Sequence, residues 1–117
     1  MAIQSLAEFQ TTFKCEPVKV KLLVPGMDAD TEVFLKPLTS AQRDAFEASV
    51  VGVDGNRDLS NLRARLVANC LVDEKGKAIG DPVAIGKLDA RLVGALFDSV
   101  RKLNGMDAED VEEAGKG

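Results

Sequence analysis

The chain has 117 residues, a formal net charge of −4 and a hydrophobic fraction of 45%, which is enough for one modest core and too much for wholesale disorder. All five aromatics are Phe, so the core is mostly Leu, Val, Ile and Ala, a composition that suits packed helices better than a sandwich or barrel. Basic and acidic residues are interleaved with no basic stripe, which argues against a nucleic-acid binder.

Ile3, Leu6, Phe9 and Phe13 recur at spacings of three and four and predict a short amphipathic helix ending before Pro17. Val18-Lys-Val-Lys-Leu-Leu-Val24 alternates as a half-buried strand does, Pro25-Gly26 supplies turn chemistry, and Thr31 to Lys36 returns as a second strand. The pair predicts a hairpin, with Phe34 on the face opposite Val33 and Leu35. Pro37 ends the second strand. Thr39 and Gln42 then have the spacing of a capping box, opening a helix that carries Ala41, Ala45 and Phe46. Val51 to Leu59 reads as a loop broken by Gly52 and Gly55.

Leu59, Leu62, Leu66, Val67, Cys70 and Leu71 form the clearest apolar stripe, predicting a helix capped by Asp58 or Ser60 and stopped before Gly76. Gly76 to Gly80 is a connector. Asp81-Pro82 opens a short helix over Val83 to Lys87, and Leu88 to Leu103 predicts a strong amphipathic helix stopped at Asn104-Gly105. These elements amount to an α+β, mainly helical single domain over residues 1–105, with an N-terminal hairpin packed against three to four helices. Residues 106–117 read as a frayed acidic tail.

Little in the chain points to catalysis. There is no His, which removes the commonest general base and metal ligand. No phosphate-cradling glycine motif occurs. Asp54-Gly-Asn56-Arg-Asp58 and Asp28-Ala-Asp30-Thr-Glu32 resemble the start of a calcium loop, but Leu59 and Val33 stand where that loop needs Gly. Cys15 and Cys70 share no metal-binding spacing and are expected as reduced thiols. Lys19/Lys21 and Arg63/Arg65 read as solvated faces. No apolar run approaches the roughly 20 residues that span a bilayer, and Met1-Ala2-Ile3-Gln4 does not open like a secretory signal. The expectation is a non-enzymatic protein without cofactor or metal, in the cytoplasm.

At Leu35-Lys-Pro-Leu-Thr-Ser-Ala-Gln-Arg-Asp-Ala-Phe46 the chain resembles the tail assembly chaperones of lambda-like long-tailed bacteriophages, in which a strand ends in a Pro-Leu-Thr turn before a short helix. Arg63 to Gly76 is similar to that family's central helix and its Asp-x-x-Gly turn, and Leu96 to Gly105 to its last helix. The resemblance spans most of residues 16–113. It implies a protein that binds and solubilises the tape measure protein, helps recruit tail tube subunits and is absent from the finished virion. It also implies a longer frameshift product, with which Ala114-Gly115-Lys116 is compatible. A partner of that kind is met by exposed apolar side chains, for which Phe34, Leu38 and Phe46 are candidates, with Arg43 as a rim. Rival readings are a head–tail connector or minor tail protein and, from another class, a small DNA-binding regulator; the oligomeric state stays open.

Overall fold

The first element shows how local chemistry starts a helix in this chain. Ser5 Oγ accepts a hydrogen bond from the Glu8 amide at 3.2 Å, and Glu8 Oε2 accepts from the Gln4 amide at 3.2 Å. This reciprocal capping opens α1, Leu6–Thr12. The computed structural model describes residues 2–26, 31–51 and 59–106.

β1 (Val18–Leu22) and β2 (Thr31–Leu35) pair antiparallel with Val18 opposite Leu35 and Val20 opposite Val33. Because side chains alternate along a strand, that register puts Val20, Leu22, Val33 and Leu35 on the core face, and Lys19, Lys21, Glu32 and Phe34 on the other. Thr39 and Gln42 form the expected capping box: Thr39 Oγ1 accepts from the Gln42 amide at 3.1 Å, and Gln42 Oε1 from the Thr39 amide at 2.9 Å. It starts α2, Ser40–Val51, whose Phe46 and Val50 lie one turn apart and face inward.

α3 (Leu62–Cys70) buries Ala64, Leu66, Val67 and Cys70. β3 (Leu71–Val72) follows directly and pairs with β2 through Leu35–Leu71 and Phe34–Val72, giving an antiparallel sheet of order β1-β2-β3. α4 (Pro82–Gly86) starts as expected, with Asp81 Oδ1 accepting from the Ala84 amide at 2.8 Å and Pro82 in the first turn. α5 (Ala90–Leu103) contributes Val93, Leu96, Phe97 and Val100, and α3 packs against both α4 and α5. The most deeply buried side chains, among them Leu22, Leu35, Val50, Leu66, Val67 and Val100, come from the hairpin and three of the helices, so one shared core ties the sheet to the helical layer. The fold is α+β, mainly helical, with the hairpin packed on helices.

Four expectations need correction. The apolar stripe from Leu59 is not one helix: α3 starts at Leu62, and Leu59 is exposed. Leu71, read as the last helical apolar residue, belongs to a strand, because the β2 edge offers its backbone better partners. The long final helix begins at Ala90, since Asp89 Oδ1 caps it from the Arg91 amide at 2.8 Å and breaks the chain after Leu88. Met106, assigned to the tail, is buried. Gly105 adopts φ +65°, and the Met106 amide reaches back to the Arg101 carbonyl at 2.8 Å, which folds Met106 onto the core. Residues 107–117 and both calcium-like segments, except Thr31 and Glu32, lie outside the described residues.

Candidate protein-docking surface

Of the four side chains singled out for partner binding, Phe46 is 4% exposed and lies in the core. The Arg65 guanidinium sits 6.0 Å from its ring centroid and donates to Ser49 Oγ at 2.6 Å, closing the solvent side. An anchor has to be reachable, so Phe46 is a packing residue and not an anchor. Leu38 is half-buried against the core, and its amide donates to Asn104 Oδ1 at 2.8 Å. Phe34 is half-buried on the outer sheet face with Lys19 Nζ 5.9 Å from its ring. Arg43 pairs with Glu47 at 3.2 Å along α2. The structure does not gather these four onto one face.

The apolar surface lies elsewhere. No residue of α1 is buried, and Leu6 and Phe9 on it and Phe13 at its end are 73%, 50% and 69% exposed. Phe9 and Phe13 sit one turn apart with ring centroids at 6.3 Å, so they form one continuous apolar edge. Separate from it is a cleft of ≈ 420 Å³ between α3, α4 and the start of α5, with a mixed lining in which Leu59, Leu62, Ala64, Leu88 and Val93 meet Asn61 and Arg63.

Two local features build that cleft. Asn61 takes a left-handed conformation (φ 52°) and donates from Nδ2 to the Pro82 carbonyl at 2.7 Å, binding the start of α3 to α4. A Cβ on Gly86 would stand 2.5 Å from Asn61 Oδ1, so a larger residue there would displace the Asn61 side chain that bridges to Pro82. The break before Asp89 leaves Leu88 45% exposed at the cleft.

The Arg91 side chain, followed by the Arg91 amide, holds the Asp89 carboxyl down at about 2. Burial pushes the Cys70 thiol up to about 11, with a hydrogen bond from Asn104 pulling the other way. Cys15 and Cys70 are free thiols, exposed and buried respectively. Among the described residues there is no group of His, Cys, Asp and Glu that could hold a metal ion, and no helix long and apolar enough to cross a membrane. The displayed residues of α1 carried one unread sequence signal, the Ser5-x-x-Glu8 spacing of a self-capped helix. Comparison with protein-family models, curated proteins and solved structures finds no match to this chain.

Proposed function

We propose that this protein is a phage tail assembly chaperone that binds and solubilises the tape measure protein and helps recruit tail tube subunits during tail morphogenesis, acting in the host cytoplasm without catalysing a reaction. The observation that carries this reading is α1, a self-capped helix whose Leu6 and Phe9 face solvent together with Phe13. Exposed aromatic and aliphatic edges of this kind are costly in water unless a partner covers them. A tape measure protein is a long helix with an apolar stripe, and helix-on-helix or helix-in-groove packing is the mode that would protect it before assembly. The Pro-Leu-Thr turn and capping box of residues 35–46 and the order of the later helices support the same family resemblance.

The test is co-expression with the tape measure protein of the same phage, followed by affinity capture and a solubility assay. The proposal expects the tape measure protein to stay soluble only in the presence of this chain and to co-purify with it. A protein that leaves its partner insoluble and instead assembles into stable rings found in purified virions would replace the chaperone reading with that of a connector.

A further inference from the structure

The sheet closes one of its edges and leaves the other open. Beyond β3 the chain returns on itself: Val72 bridges to Ala78, the Asp73 amide donates to the Lys77 carbonyl at 2.8 Å, and the Ile79 amide donates to the Leu71 carbonyl at 3.3 Å. β1 stands at the opposite edge and, among the described residues, pairs with β2 alone. The Lys36 amide donates to the Cys70 carbonyl at 2.8 Å, in step with the pairing of Phe34 and Val72, so the even-numbered peptide groups of β2 turn to β3. Hydrogen bonding alternates along an antiparallel ladder, so the odd-numbered groups of β2 turn to β1 and bond Val18, Val20 and Leu22. Lys19 and Lys21 therefore aim their N–H and C=O away from the sheet. Their side chains share the outer face with Glu32 and Phe34, where Lys19 Nζ sits 5.9 Å from the Phe34 ring centroid. Two lysines against one carboxylate leave this stretch positive, although the chain as a whole carries −4. On the other face Val18 is 42% exposed and Val20 half-buried, so the surface stays apolar up to the edge.

We propose that the β1 edge takes up an extended segment of a partner protein, which adds a fourth strand with carboxylates beside Lys19 and Lys21 and apolar residues beside Val18 and Val20. In strand addition, main-chain hydrogen bonds supply affinity and alternate side chains supply selectivity. The lysines decide between occupants. A second copy's β1, paired antiparallel about Val20, would set Lys19 against Lys21 twice over, and like charges directly opposed destabilise a strand pair. Lysine on an edge strand thus guards it against self-pairing, and the same charge selects an acidic strand. This edge lies on a different element from α1, so the proposal goes beyond the helix-binding reading and does not depend on it.

The test uses the full chain and fluorescein-labelled peptides of about seven residues, in which valine alternates with either Glu or Gln. The Glu peptide is expected to bind about fivefold more tightly than the Gln peptide and to slow exchange of the Lys19 amide, followed by NMR. The preference should shrink as salt is raised and fall to about twofold in Lys19→Gln. Methylating the backbone nitrogens on the edge of the Glu peptide that faces β1 should abolish its binding. Equal binding of the Glu and Gln peptides, a preference untouched by Lys19→Gln, or undiminished binding of the methylated peptide overturns the proposal. A Lys19 amide already protected in the free chain overturns it too. Protection that rises with protein concentration gives the edge to a second copy, and protection lost when Glu109, Asp110, Glu112 and Glu113 are replaced by amides gives it to the chain's own C-terminal segment. Failure of every peptide to bind overturns this proposal alone, because capture of the tape measure protein is read separately through α1.

Discussion

Asn104 joins three parts of the molecule that are distant in sequence. Its Oδ1 accepts from the Leu38 amide at 2.8 Å, while its Nδ2 donates to the Val100 carbonyl at 2.9 Å and approaches Cys70 Sγ at 3.8 Å. The side chain thus ties the turn after β2 to the end of α5 and the end of α3. Replacing it leaves a part-buried backbone amide without a partner, so Asn104→Ala is expected to cost about 1–3 kcal/mol in urea unfolding. Phe46→Ala, which empties a core site under Arg65, is expected to cost about 3–5 kcal/mol in the same experiment. Phe46→Asp should not fold. At this scale the sequence was informative at several residues whose partner is close in the chain. Thr39 with Gln42, and Asp81 ahead of Pro82, form the caps their spacing predicts. Asn61 and Asn104 were opaque, because their partners lie 21 and 66 residues away and no local pattern records them.

Among the elements, the hairpin and most helices follow from periodicity, and the errors fall at junctions. α3 and β3 share one uninterrupted apolar run, so only the backbone pairing with β2 tells where the helix ends. The α4–α5 break turns on Asp89, which lies inside the helical spacing of Leu88 to Leu103 and caps α5. Its capping and its pairing with Arg91 depress its folded acidity from 3.8 to about 2. A carboxylate with a lowered folded value stabilises the fold fully above its unfolded value, near 4, and loses that contribution as pH falls towards 2. Acid unfolding followed by circular dichroism should therefore show Asp89→Asn less stable than the parent at neutral pH, with the difference narrowing between pH 4 and 2. A constant difference across that window would place the role of Asp89 outside its charge.

On the scale of the whole molecule, the arrangement separates what holds the fold from what is displayed. Leu22, Leu35, Val50, Leu66, Val67 and Val100 close the core. Leu6, Phe9 and Phe13 lie outside it, with Leu59 and Leu88 at the cleft. The α+β class could be read from the sequence because alternation and helical spacing are properties of short segments. The displayed surface could not be read in the same way. A spacing of three and four marks an amphipathic helix whether its apolar edge meets the core or solvent, and at Leu6, Phe9 and Phe13 it meets solvent. For the same reason Phe46, in an equally regular pattern, drew attention as an anchor although it is packed inside.

The central claim is that the apolar edge of α1 serves a partner and not the fold. The direct measurement is the double variant Phe9→Asp/Phe13→Asp, examined by urea unfolding and by capture of co-expressed tape measure protein. The prediction is a stability within about 0.5 kcal/mol of the parent, as for exposed sites, together with recovery of soluble partner reduced to that of cells lacking this chain. Undiminished capture by the folded double variant, or a loss of several kcal/mol showing that these rings support the core, would contradict it.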